Sequence, residues 1–323
     1  MKINKNTRIF IAGHNGLVGS SVYRILKKNN FKRLIVRSKS ELNILNSKKV
    51  DQFFKINKIE LVIFCAGLVG GIKANSTYST QFFQQNMMMI MNMLSSSHKH
   101  NVKAFINLGS ACIYPKNIKK KLDEADLLTG KLEQTNEPYA LAKISALKLC
   151  NYYKKQFNRD YFSLMPANLF GQNDNFSLEN SHVIPALIRK FYEAKKFGNK
   201  NVEVLGNGKS IRDFLYVEDL AQAILFTIKN LHKIEFKRKI FEHGFLNIGY
   251  DKGIKILTLI KKIKKISGFR GKVIFTNKTL NGTKTRVLSS KKIISIGWKK
   301  KFSFERGLRN TYAWYTKNYR ERN

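Results

Sequence analysis

The run Thr7-Arg-Ile-Phe-Ile-Ala-Gly13, followed at once by Gly13-His-Asn-Gly16-Leu-Val-Gly19, constrains the fold more than any other part of the chain. Its first half is a short apolar stretch of strand type. Ser20 to Asn29, directly after it, carries helical spacing at Val22, Ile25 and Leu26. Three glycines between a strand and a helix permit what side chains would forbid. They allow a tight turn, close approach of a pyrophosphate to backbone N–H groups, and close packing of helix on sheet. Gly13, His14, Asn15, Gly16, Leu17, Val18 and Gly19 are therefore the expected dinucleotide loop, with His14 shaping the turn.

The alternation continues downstream. Leu61-Val-Ile-Phe-Cys-Ala-Gly67 and Ala104-Phe-Ile-Asn-Leu-Gly-Ser110 are buried-strand runs, with a helix-forming stretch from about Phe82 to His100 between them. Asn136 and Pro138 open a helix that reaches about Phe157, and Tyr161-Phe-Ser-Leu-Met-Pro166 is the next strand. Strands alternating with helices predict an α/β fold with a Rossmann-type doubly wound parallel sheet. Ligands of such sheets gather at the carboxyl ends of the strands, where Gly13–Gly19, Gly67, Ser110 and Asn168 all fall. The second strand, Leu34-Ile-Val-Arg37-Ser38-Lys39-Ser40, ends without a carboxylate at the place where an NAD-preferring protein holds the ribose 2′-hydroxyl. Arg37, Ser38 and Lys39 offer two cations and a hydroxyl suited to a 2′-phosphate, so NADP(H) is the expected cofactor.

Tyr139-Ala-Leu-Ala-Lys143 puts a phenol and an ammonium at i, i+4 on one helix face. There the cation stabilises phenolate and draws the phenol's pKa down from about 10. Ser110, at the adjacent strand end, would hold a substrate oxygen. Together they read as a carbonyl-reducing unit.

With these motifs the chain resembles the extended short-chain dehydrogenase/reductases, and within them the GDP-L-fucose synthase family. The resemblance rests on Phe10-Ile-Ala-Gly-His-Asn-Gly16, Val69-Gly-Gly-Ile72, Gly109-Ser-Ala-Cys-Ile-Tyr-Pro115, Thr135-Asn-Glu-Pro-Tyr-Ala140 with Lys143, and Asn180-Ser-His-Val-Ile-Pro-Ala186. Arg212-Asp-Phe-Leu-Tyr-Val-Glu-Asp219 completes the set, in the family's order from about residue 8 to 318. It implies an NADP-binding domain over 1–168 with a returning segment at about 205–250, and a smaller interleaved α/β substrate lobe over 169–204 and 251–323. It implies 3,5-epimerisation and NADPH-dependent 4-reduction of a GDP-4-keto-6-deoxymannose. Ser110, Cys112, Tyr139, Lys143 and His182 would be catalytic, with Cys112 and His182 as acid and base. Reference pKa values of about 8.5 and 6.5 suit a thiol and an imidazole to that work. Lys143, Pro166, Asn168, Leu169 and His182 would join the glycine turn, Arg37 and Lys39 at the cofactor. Asn168, Lys190, Leu205, Arg212 and Asn281 would meet the substrate, Arg212 at its diphosphate.

The chain departs from the family pattern in several places. Phe170-Gly171-Gln172 stands for Tyr-Gly-Pro, Ala111 for a second Ser, Lys190 and Leu205 for Arg and Trp, Asn15 for Arg, and Asn281 for Asp. These touch recognition of the nucleotide and sugar more than the chemistry. An enzyme acting on another GDP-4-keto sugar, dideoxy or heptose, is an alternative reading. A non-catalytic NADP-binding or RNA-associated protein is another.

Composition sets the outer limits. At 323 residues one two-lobed enzyme with ample core is accommodated. Three dispersed Cys show neither paired nor metal-binding spacing and suit a reducing cytoplasm. No apolar run approaches about 18 residues, so neither a signal peptide nor a membrane span is expected. The formal net charge is +39, yet only 14 of the 60 basic residues are Arg, and the lysines are scattered. That predicts a solvated basic surface rather than a nucleic-acid groove. The Met87–Met93 run reads as core or helix-interface packing. The family suggests a homodimer through the helices near Phe82–His100 and Tyr139–Phe157. Trp298, Tyr312, Trp314 and Tyr319 read as aromatic packing of a C-terminal helix, about Phe302 to Arg322, on the smaller lobe.

Overall fold

The structure, a computed structural model, describes residues 2–118, 120–276 and 283–319. The chain runs β1 (Ile9–Ala12), α1 (Leu17–Lys28), β2 (Leu34–Ile35), α2 (Ser47–Asn57), β3 (Leu61–Phe64), α3 (Ile72–Thr77), α4 (Ser79–Lys99) and β4 (Ala104–Leu108). It continues with α5 (Glu137–Phe157), β5 (Asp160–Pro166), β6 (Asn168–Phe170), α6 (Val183–Lys196), β7 (Asn201–Leu205), β8 (Ile211–Tyr216), α7 (Val217–Asn230) and α8 (Ile234–Phe241). The last elements are β9 (Phe245–Ile248), β10 (Gly253–Lys255), α9 (Ile256–Ser267), β11 (Lys272–Thr276), β12 (Thr285–Arg286), α10 (Lys291–Ser295) and α11 (Phe304–Asn318).

Six strands form one sheet in the order β2-β1-β3-β4-β5-β9, and every pair in it is parallel. The fold is the doubly wound α/β architecture expected. β1, β3, β4 and β5 are buried along their whole length, because helices cover both faces, and for that reason they read as unbroken apolar runs. β1 pairs with β2 on one side and β3 on the other, so the winding reverses there. The crevice over the carboxyl ends of β1 and β3 is thus the switch point at which such sheets bind ligands.

The smaller sheet is built on β8, which pairs with β10, β12 and β6. β7 and β11 form a separate parallel pair. Phe170, Phe191, Phe214, Phe269, Phe304 and Tyr315 fill the core between these strands and α6, α9 and α11. After β8 the chain returns to the large sheet through α7, which packs on α1, and enters it as β9.

Some local expectations shift. The second strand pairs over only two residues, because Val36 onward turns away into a loop. Cys65 lies just past β3 rather than within it. Trp298 joins the core under the large sheet, not the smaller lobe, whereas Phe176 stacks on Trp314 and Tyr192 meets Tyr312 and Tyr319. Met89 and Met93 are buried, while Met88 and Met91 face outward.

Candidate active site

The glycine turn is shaped as its sequence requires. Gly13 has φ +84°, and a Cβ there would lie 2.8 Å from the Ala66 nitrogen, beside β3. At Gly19 a Cβ would lie 2.2 Å from the Gly13 carbonyl oxygen, so helix α1 sits hard on the turn. Gly16 donates its N–H to that same oxygen at 3.1 Å and then caps α1. No side chain caps the helix and no acidic residue occupies its first turn, which leaves its positive end to an anion. His14 Nδ1 is buried with no partner, an orphan donor or acceptor beside the turn. Asn15 is exposed, while Leu17 and Val18 are half-buried. These residues fit a dinucleotide's diphosphate. Arg37 and Lys39 are exposed at the end of β2, with Arg37 held over the Phe53 ring at 5.6 Å.

Helix α5 delivers the pair Tyr139 and Lys143 to the neighbouring strand ends. Pro138 in its first turn is pre-set for helix and needs no donated N–H. Lys143 is buried and its Nζ donates to the Leu108 carbonyl at 3.0 Å, at the end of β4. The ammonium lies 5.6 Å from the Tyr139 ring centre. Burial pulls the Lys143 pKa down to about 8. Burial also pushes the Tyr139 phenol up, with Cys112 adding to the rise. The expected lowering of the phenol is therefore corrected. Lys143 gives one of its N–H donors to a backbone carbonyl, and desolvation is the largest influence on the phenol. A phenol held protonated is a proton donor.

Ser110 follows β4 by two residues in extended conformation and caps a single 3-10 turn, its Oγ accepting the Cys112 N–H at 3.4 Å. The turn places the Cys112 thiol within electrostatic reach of Tyr139 and Lys143. Burial raises the thiol's pKa, opposed by the Ser110 hydroxyl, Arg286 and Lys143. Ser110, Cys112, Tyr139 and Lys143 thus form one neighbourhood.

His182 caps α6 in extended conformation and remains open to solvent. The Gly67–Gly71 loop runs between the segment before His182 and Lys143. A Cβ on Gly71 would meet the Ser181 carbonyl at 3.5 Å, and one on Gly67 would lie 3.6 Å from Lys143 Nζ. Asn86 holds that loop. Its amide accepts from Leu68 N–H at 3.0 Å and donates to the Leu68 and Phe82 carbonyls at 3.1 and 2.7 Å.

Pro166 ends β5, and β6 carries Asn168 and Leu169 alongside β8. Asn168 donates to the Asp213 carbonyl at 3.1 Å. Arg212 lies in register with Arg286 of β12, and Arg286 donates to the Ala111 carbonyl at 3.3 Å. Burial, then Arg286, pulls the Arg212 pKa down to about 10. Lys190 and Leu205 stand apart at the β7 edge, Lys190 donating to the Glu203 carbonyl at 2.9 Å and Leu205 62% exposed. Asn281 lies outside the described residues. Sequence reading missed Arg286, Asn86 and Glu41. Each is a common residue type in an ordinary strand, helix or loop stretch, and only strand register or loop geometry gives it its partners. Among the described residues, no cluster of three or more His, Cys, Asp or Glu could hold a metal ion.

A Rossmann sheet with a phosphate turn at its switch point and a Ser-Tyr-Lys group one strand away defines a nucleotide-dependent epimerase or reductase. The chain matches the NAD dependent epimerase/dehydratase family over residues 9–242 and belongs to it. GDP-L-fucose synthase of Escherichia coli (strain K12) is 42% identical over 311 residues, covering 96% of this chain and 97% of that protein. GDP-L-fucose synthase 1 of Arabidopsis thaliana is 42% identical over 315 residues, covering 98% and 95%. The solved structure of a GDP-mannoheptose C4 reductase from Campylobacter jejuni with NADP bound is 33% identical with a TM-score of 0.88, covering 97% of this chain and 99% of that one.

Proposed function

We propose that this enzyme converts GDP-4-keto-6-deoxy-D-mannose to GDP-L-fucose by inverting C3 and C5 and then reducing the C4 ketone with NADPH. The observation that carries this reading is the single neighbourhood of Ser110, Cys112, Tyr139 and Lys143. Both inverted carbons lie α to the ketone, so their protons become acidic once the enolate oxygen is stabilised. The Ser110 hydroxyl and the Tyr139 phenol donate hydrogen bonds to that oxygen. Inversion needs an acid and a base, because the proton returns to the opposite face. Cys112 and His182 fill those roles. NADPH, when bound, supplies hydride to C4. Tyr139 then delivers its proton to O4, and Lys143 restrains the charge left behind.

The cofactor's diphosphate rests on Gly13–Gly19, its 2′-phosphate at Arg37 and Lys39, and its nicotinamide end among Lys143, Pro166, Asn168, Leu169 and His182. Arg212 and Arg286 take the diphosphate of the GDP-sugar, and Lys190 and Leu205 take the nucleoside side. We place the enzyme in the cytoplasm as a homodimer. Among the described residues, no helix is long and apolar enough to cross a membrane. The exposed Phe83, Met88 and Met91 of α4, together with Leu141 and Tyr152 of the adjacent α5, supply an apolar face for a second copy. Incubation with GDP-4-keto-6-deoxymannose and NADPH, following nicotinamide oxidation and product identity, tests the assignment. A second reading, reduction of another GDP-4-keto sugar, is favoured by the exposed Leu205 and by the heptose-reductase likeness. A panel of such sugars separates the two.

A further inference from the structure

The loop after β2 contains a carboxylate that the cofactor reading does not use. Glu41 Oε2 accepts the Ser38 N–H at 2.7 Å and the Ser38 hydroxyl at 2.7 Å. The Glu41 N–H donates back to Ser38 Oγ at 3.4 Å. Arg37, on the other side of Ser38, spends one guanidinium N–H on the Val36 carbonyl at 2.7 Å. Two of the donors that a ribose 2′-phosphate would take from this loop, the Ser38 N–H and hydroxyl, are therefore already engaged by an anion. An incoming phosphate dianion must displace the Glu41 carboxylate or lie beside its like charge. A 2′-hydroxyl can instead donate to that same carboxylate.

We propose that Glu41 is a specificity-determining residue, whose carboxylate competes with the cofactor's 2′-phosphate for Ser38 and so limits the preference for NADP(H) over NAD(H). This rests on the reading that residues 37–39 receive the 2′ substituent. A purely structural role is also available, since the reciprocal Ser38–Glu41 bonds are those of a capping box and Leu42 N–H closes the turn onto the Ser38 carbonyl at 2.9 Å. The two roles differ in sign. If the pair only secures the turn, breaking it from either end acts in the same direction. Competition makes the two ends act oppositely.

The test is titration calorimetry of the full-length protein with adenosine 2′,5′-bisphosphate and with 5′-AMP. Wild type, Arg37→Ala, Glu41→Gln and Ser38→Ala are compared. Wild type prefers the bisphosphate and Arg37→Ala loses that preference. Glu41→Gln, which keeps an acceptor for the turn, raises the preference about five-fold, as removal of one like charge at contact distance in water implies. Ser38→Ala lowers it. Equal affinities for both ligands in wild type would overturn the placement of the 2′ group and this inference with it. A wild-type preference that Glu41→Gln leaves unchanged or lowers would overturn the role of Glu41 alone.

Discussion

Arg286 on β12 lies directly opposite Arg212 on β8, a buried and a half-buried cation at one register position. Like charges removed from water are unfavourable until an anion joins them. The free protein bears that cost and a diphosphate relieves it. Arg286→Met is therefore expected to weaken GDP binding about ten- to a hundred-fold, as loss of one charge-assisted contact implies, and to raise the melting temperature of the ligand-free protein. Calorimetric titration with GDP and thermal melts check both. Unchanged GDP affinity would remove the pair from the diphosphate site.

Tyr139→Phe removes the proton donor without emptying the space. Nicotinamide oxidation is expected to fall by at least about a hundredfold, while NADPH affinity changes little. Single-turnover absorbance and fluorescence titration separate the two. A variant that reduces the ketone at the wild-type rate would transfer the donor role to another group.

Cys112→Ser keeps a small polar group but loses the thiol's acidity. Solvent-deuterium exchange at C3 and C5 is expected to disappear, with NADPH binding intact. Undiminished exchange, read by NMR, would refute the assignment of Cys112.

Sequence and structure agree most closely where a pattern is local. The Gly13–Gly19 turn, the buried strands and the spacing of Tyr139 and Lys143 were legible because each needs particular residue types at fixed offsets. Ser110 and Cys112 were legible because both follow one strand end. The contacts that set their protonation were not. Lys143 gives one of its donors to Leu108, and Arg286 reaches Arg212 only through the pairing of β12 with β8. The short β2 likewise depends on where the sheet edge lets the chain go, which composition does not encode.

Asp213 offers a test of the smaller lobe's stability. Its carboxylate accepts N–H bonds from Tyr250, Asp251 and Leu288 at 2.9, 3.3 and 3.3 Å, tying β8 to the loops beside β9 and β12. Burial nevertheless drives its pKa up to about 7 against the pull of those donors. The folded state then keeps a proton that the unfolded chain releases near pH 4, so stability from this group falls as pH rises from about 4 to 7, by up to ~1.4 kcal/mol per pH unit. Asp213→Asn should flatten that part of the profile. Urea midpoints for both proteins at pH 4.5 and 7.5 decide it, and parallel profiles would contradict the shift.

The central claim is that one ketone oxygen serves both proton exchange at its neighbouring carbons and hydride acceptance. Its most direct test is the reaction of GDP-4-keto-6-deoxymannose with NADPH in deuterium oxide, with the product examined by NMR. The account predicts GDP-L-fucose carrying deuterium at both C3 and C5. A 4-reduced sugar that keeps protium and the manno configuration at both carbons would contradict it.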